Sequence, residues 1–326
     1  MRYFLTGATG FVGGRVAYQL REQGHEVVAV VRTPERADAL VELGVELVKG
    51  DVTDKESMRE AMAGTDGVFH IAGWYKIGTR DKSAGQRINV DGTRNVLELM
   101  QELAVPKGVY TSTLAVNSHT HGRIVDESYV FHGTHLSEYD RTKAEAHKVA
   151  EAFIAQGLPL VIVMPGLIYG PGDTSTLRTT LTQYLQRRLP VIPRQTAFSW
   201  AHVDDIAWAH IAAMERGEVG EQYIIAGPTH TLAEALQIAQ ELTGVPAPRA
   251  VPPQLLSGMA PLMGILEKIL PLPSDYTAEG LRVTGGTTYI GDNSKARRVL
   301  GYNPRPLQEG LAETLKHEMQ LMGMSR

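Results

Sequence analysis

Thr6-Gly7-Ala8-Thr9-Gly10-Phe11-Val12-Gly13 follows the apolar run Tyr3-Phe4-Leu5 and opens a segment in which Val12, Val16 and Leu20 recur every fourth position, with Gly24 behind them. The pattern reads as a buried strand, a glycine-rich turn and a helix with a glycine stop. Gly7 can take a turn conformation barred to other residues, Gly10 lets the backbone approach a ligand, and Gly13 lets the helix pack closely on the strand. A glycine-rich turn in this setting points the N-terminus of a helix at a pyrophosphate, so the stretch predicts a bound dinucleotide.

Outward from this turn the chain alternates. Val27-Val28-Ala29-Val30-Val31 is the continuous run expected of a strand covered on both faces of a parallel sheet. Further strands are predicted at 45–48, 67–71, 108–112 and 160–164, with helices near 53–63, 86–104 and 138–156. This βαβ rhythm predicts an α/β fold with a doubly wound parallel sheet. Beyond Gly170-Pro171-Gly172 the rhythm gives way to helices near 177–188, 203–215 and 231–243. Prolines 246, 248, 252, 253, 261, 271 and 273 then break the chain, and Leu307, Leu311, Leu315 and Met319 describe a terminal amphipathic helix. The expected organisation is a cofactor domain over 1–170, to which 203–230 returns, and a smaller substrate subdomain over most of 171–326. The segment 245–290 is its lid. Apolar residues over 255–270 suit a core, an apolar substrate pocket or a membrane-facing surface.

The 326 residues are 43% hydrophobic and carry a formal net charge of −4, with both signs interspersed. That composition argues against a nucleic-acid or anionic-membrane surface. Without cysteine there is no disulfide, thiolate metal site or cysteine nucleophile. With no signal core and no long apolar run, the expectation is a cytoplasmic protein with no membrane span. His119, His121, His132 and His135 lack helical ligand spacing and nearby carboxylate pairs, so no metal is expected.

Tyr139 and Lys143 lie four apart in Ser137-Glu138-Tyr139-Asp140-Arg141-Thr142-Lys143, on one face of a helix. A neighbouring ammonium favours the phenolate, which would bring Tyr139 toward neutrality as an acid or base. Val109-Tyr110-Thr111-Ser112-Thr113 ends a predicted strand in three hydroxyls, where such sheets bind ligands. At the end of the second strand stand Arg32 and Arg36, where a site for NAD usually has an acidic residue. Arginines suit a 2′-phosphate, so NADP is favoured, and Glu35 keeps NAD possible.

Taken together, the glycine turn, the hydroxyl strand and Tyr-x-x-x-Lys resemble the extended short-chain dehydrogenase/reductase family. Further matches are Asp51-Val52-Thr53-Asp54, His70-Ile71-Ala72-Gly73, the Asn89–Val96 stretch, Pro165–Gly172 and His202–Ala207. The resemblance covers nearly the whole chain and implies a Rossmann-type domain. It implies that Tyr139 transfers the proton, that Lys143 lowers its pKa and binds the nicotinamide ribose, and that Thr113 holds the reacting oxygen, with Ser112 as the fallback. Many members have Ser where this chain has Thr113. Cofactor contacts are implied for Gly7, Thr9, Gly10, Phe11, Val12, Gly13, Arg32, Arg36, Asp51, Val52, Ala72, Gly73, Thr111, Pro165 and Ile168, besides Tyr139 and Lys143. Asn89 is open between a structural and a relay role. His202, Asp204 and Asp205 read as a structural helix start.

Members acting on nucleotide sugars usually offer an Asn where this chain has Leu167, so the expected substrate is a small molecule of apolar character. The expected activity is NADP-dependent reduction of a ketone or aldehyde, of the dihydroflavonol-reductase or 3β-hydroxysteroid-dehydrogenase kind. One alternative is a sugar epimerase or dehydratase holding NAD tightly, with Arg178, Arg187, Arg188 or Arg194 on the substrate pyrophosphate. Another is a non-catalytic NADP sensor. Helices 86–104 and 137–156 resemble those that pair in family dimers, which implies a homodimer, and their apolar positions equally suit an intramolecular core.

Overall fold

The structure is a computed structural model that describes residues 1–76, 81–252, 254, 279–280, 283 and 285–324. Six parallel strands appear first: β1 (Arg2–Thr6), β2 (Glu26–Val31), β3 (Glu46–Lys49), β4 (Gly67–His70), β5 (Gly108–Thr111) and β6 (Leu160–Pro165). The remainder are β7 (Leu167–Tyr169), β8 (Val191–Pro193), β9 (Ala197–His202), β10 (Gln222–Ile225), β11 (Thr229–Thr231), β12 (Arg249–Val251) and β13 (Thr288–Tyr289). The central sheet runs β10-β6-β5-β4-β1-β2-β3. The chain therefore winds outward from β1 to β3, returns to β4 and winds the other way. The crevice beyond the ends of β1 and β4 is the switch point at which such sheets bind ligands.

Strand residues alternate between two cores, as the period of two requires. Tyr3, Leu5, Val27, Ala29 and Val31 face helices Phe11–Glu22 and Val203–Arg216. Phe4, Val28 and Val30 face the layer of helices Gly92–Glu102 and Glu138–Ala155. A third core joins Tyr169, Leu181, Tyr184, Trp200 and Leu236 to the tail helix Leu307–Leu321 through Leu307, Leu311 and Leu315. It is backed by a small sheet in which β9 pairs with β7, β11 and β13.

Two helices differ from the sequence expectation. Over 53–63 there are only short turns, Glu56–Met58 and Arg59–Met62. The Ser57 hydroxyl accepts from Asp51 N–H (3.0 Å) and donates to the Asp54 carbonyl (2.6 Å), bonds that compete with a helical ladder. Over 86–104 the chain takes a π turn at Gln86–Asp91 before the α-helix Gly92–Glu102, the kind of insertion that gathers at functional sites. The apolar run over 255–270 lies outside the described residues, as does most of 245–290. Among the described residues no helix is long and apolar enough to cross a membrane.

Candidate active site

Helix Glu138–Ala155 starts at Ser137, whose Oγ accepts the Asp140 N–H (3.1 Å) and donates to its carboxylate (2.7 Å). This cap sets Tyr139 in the first turn, above the end of β5. The Thr113 side chain acts on the Tyr139 phenol to favour its ionised form, and Tyr75 meets its ring edge-on at 4.7 Å. One turn later Lys143 is only 5% exposed. Its ammonium donates to the Thr111 carbonyl (2.7 Å) and to the Tyr110 hydroxyl (3.2 Å).

The pKa values depart from the simple picture of a phenol lowered by its lysine. Burial pushes the Tyr139 phenol up, and the neighbouring Tyr75 adds to this, while the Thr113 side chain pulls it down. Burial lowers Lys143 to about 7. For both groups desolvation by burial is the largest cause, since each is taken out of water. The raised pKa keeps the proton on Tyr139, the form an acid needs.

The three hydroxyls of the strand end go different ways. Thr111 Oγ1 lies 2.8 Å from His210 Nε2, whose Nδ1 is 2.7 Å from the Ile206 carbonyl. That carbonyl can only accept, so Nδ1 carries the proton and Nε2 takes the Thr111 hydroxyl. Ser112 Oγ is 2.7 Å from His147 Nδ1, and it is buried. Of the three, Thr113 is the hydroxyl that reaches Tyr139. Asn89 is fully engaged: its carbonyl oxygen accepts the Trp74 N–H (2.7 Å), and its amide donates to the Trp74 carbonyl (3.1 Å) and to Thr142 (2.9 Å). These bonds tie the β4 exit to the catalytic helix through the π turn.

At the glycine turn, Gly7 has φ +77, and a Cβ on it would come 2.7 Å from Ala72 N. A Cβ on Gly13 would collide with the Gly7 carbonyl, whereas one on Gly10 would meet that oxygen at 3.2 Å. Gly10 is exposed and begins helix Phe11–Glu22 without a side-chain cap or an acidic residue in the first turn. The positive end of the helix therefore faces open space, as a pyrophosphate site requires.

The chain matches the model of the NAD dependent epimerase/dehydratase family over residues 3–226. It belongs to that family. It is 32% identical over 324 residues to a protein of Synechocystis sp. provisionally named dihydroflavonol 4-reductase, covering 96% of this chain and 93% of that one. It is 31% identical over 322 residues to sterol demethylase protein B of Methylococcus capsulatus, covering 97% of each chain. The crystal structure of gox2253 superimposes with a TM-score of 0.86 at 28% identity, covering 99% of each chain. The protein is thus an extended short-chain dehydrogenase/reductase, an NAD(P)-dependent enzyme on a Rossmann-like sheet.

The family's cofactor cradle fits the residues present here. Thr9, Gly10, Phe11 and Val12 line the turn at the head of the helix, and the Ala72–Gly73 backbone crosses beside Gly7. Arg32 and Arg36 are exposed beyond β2, and among the described residues no ion pair is recorded for either. The Asp51 carboxylate is engaged by the Thr53 N–H and hydroxyl (both 2.9 Å), and Val52 is buried against Gly92. Pro165 ends β6, and Ile168 sits in β7.

His119 and His121 stack at 4.0 Å, while His135 packs on Phe131. Among the described residues the group close enough to share an ion is His202, Asp204 and Glu313. Arg15 and Arg305 pair with its carboxylates, which leaves little charge for a cation. Sequence reading missed Tyr75, His147 and His210. Nothing near them in the chain marks them, because their partners come from distant elements.

Proposed function

We propose that this enzyme reduces a ketone or aldehyde with NADPH, and oxidises the matching alcohol in reverse, on a small substrate of apolar character. The observation that carries this reading is the buried Tyr139 phenol, acted on by the Thr113 side chain at the end of β5, one helical turn before Lys143. NADPH, when bound, supplies the hydride. Tyr139 gives its proton to the carbonyl oxygen, and the Thr113 hydroxyl orients that oxygen. Lys143 holds the nicotinamide ribose, and its positive charge favours the phenolate as it forms. The glycine turn and the uncapped helix hold the pyrophosphate, and Arg32 and Arg36 take the 2′-phosphate.

Leu167, in place of a sugar-binding Asn, supports the apolar substrate. Arg178, one candidate for a sugar-nucleotide pyrophosphate, is held by the buried Glu318 (2.9 Å). Relatives named for dihydroflavonol reduction and sterol demethylation agree with a carbonyl chemistry on apolar molecules. In this reading residues 1–170 with 203–230 hold the cofactor, and the rest of 171–326 holds the substrate.

The test is calorimetric titration with NADPH and NADH, on wild type and on Arg32→Glu. Wild type binds NADPH more tightly, and Arg32→Glu loses about 10- to 100-fold of that preference, as expected for charge-assisted bonds. Equal affinity in both proteins contradicts the NADP reading. NAD that stays bound through purification points to the epimerase class.

A further inference from the structure

Tyr110 is fully buried in the middle of the β5 end, and the reaction above gives it no task. Its hydroxyl takes the Lys143 ammonium at 3.2 Å, and that ammonium lies 4.8 Å from its ring centroid. Behind it, the His70 imidazole stacks on its ring at 5.5 Å and 24°, and the Thr93 side chain counters the upward push of burial on the Tyr110 phenol. His70 Nε2 is 3.0 Å from Thr93 Oγ1, and Nδ1 is 2.8 Å from Thr6 Oγ1.

The direction of this chain follows from counting. Thr6 Oγ1 accepts the N–H groups of Ile71 and Ala72, both at 3.1 Å, so its lone pairs are taken and its proton goes to His70 Nδ1. The neutral imidazole then carries its proton on Nε2 and donates to Thr93. Burial and the nearby Lys143 charge keep His70 in that neutral form. Thr6, His70, Thr93 and Tyr110 are each at most 1% exposed. A buried network in which every group has its partner fixes a geometry.

We propose that Tyr110 is a positioning residue for Lys143, held by the chain Thr6–His70–Thr93, which fixes the ammonium relative to the glycine-rich turn. An ammonium has three N–H donors on a flexible four-carbon stem. Thr111 and Tyr110 take two, which aims the third at a ligand oxygen. A phenylalanine would keep the ring beneath the charge and lose the aim. The inference rests on the role given to Lys143 above. Among the described residues two ionisable groups face the ammonium: the Tyr110 hydroxyl from β5, to which it donates, and the His70 imidazole from β4, whose pKa it lowers.

The experiment is an NMR titration of full-length protein with 13C-labelled lysine, in wild type, Tyr110→Phe and Thr93→Val, with the Lys143 signal assigned by its loss in Lys143→Arg. The Lys143 midpoint falls by about one pH unit in Tyr110→Phe, since a hydrogen bond to the charged form is lost, and by less in Thr93→Val. NADPH affinity falls in the same order. An unchanged midpoint in Tyr110→Phe overturns the proposal, as does lost activity at an unchanged midpoint. If Tyr110→Phe does not fold, the Thr93→Val midpoint decides in the same way. Full turnover by Tyr139→Phe would refute the catalytic reading and leave the lysine midpoints to judge Tyr110.

Discussion

Thr113 and Ser112 are neighbours in sequence and opposites in use. The strand turns Thr113 toward Tyr139 and buries Ser112 against His147. Thr113→Val should lower kcat/KM by about 100-fold, the order lost with one donor to a reacting oxygen. Ser112→Ala should leave turnover within a few-fold and cost about 1 kcal/mol of stability, measured by urea unfolding. The reverse ranking would exchange their roles. At this scale the spacing of Tyr139 and Lys143 placed them on one helix face, but it took the hydroxyl strand and the family resemblance to single them out from an ordinary helix surface. The direction of the tyrosine shift was not legible, since desolvation depends on neighbours such as Tyr75 that no local pattern shows.

In the proposed account the site is carried by the first βα turn and the helix Glu138–Ala155. Gly10→Ala should keep a melting temperature near wild type, because its Cβ meets only the Gly7 carbonyl at 3.2 Å, yet weaken NADPH binding at least tenfold. Gly13→Ala should instead destabilise the fold, since its Cβ collides with that carbonyl inside the protein. Thermal melts with and without NADPH separate the two. In the helix cap, Asp140 is buried, accepts the Tyr289 hydroxyl at 3.0 Å, and is pushed up from 3.8 to about 6. The folded state therefore binds the extra proton between those values, and stability falls as pH rises through the window, by at most about 3 kcal/mol. Asp140→Asn should lack this fall, so its stability relative to wild type improves as pH rises from about 4 to 6. A constant difference in urea midpoints would contradict it. Element types were readable from periodicity, but the π turn at Gln86–Asp91 was not. Its register follows from Asn89 gripping Trp74 and Thr142, contacts made far along the chain.

For the whole molecule, the glycine turn and the βαβ rhythm foretold the doubly wound sheet. The histidines that hold Thr111 and Ser112 escaped notice because they are brought in by tertiary packing, His210 from 99 residues away. The small sheet of β7, β9, β11 and β13 was equally hidden, its strands being short and scattered between 167 and 289. In the proposed account these parts supply a proton donor, a positioned ammonium and an open helix end. The most direct measurement is single-turnover transfer from NADPH deuterated at C4 of the nicotinamide to a panel of apolar ketones and aldehydes, with wild type and Tyr139→Phe. The account predicts deuterium on the carbinol carbon of an alcohol product with wild type, and a rate about 100- to 10,000-fold lower with Tyr139→Phe while NADPH still binds. Unchanged transfer in Tyr139→Phe, or no transfer to any carbonyl alongside epimerisation of a nucleotide sugar, would contradict it.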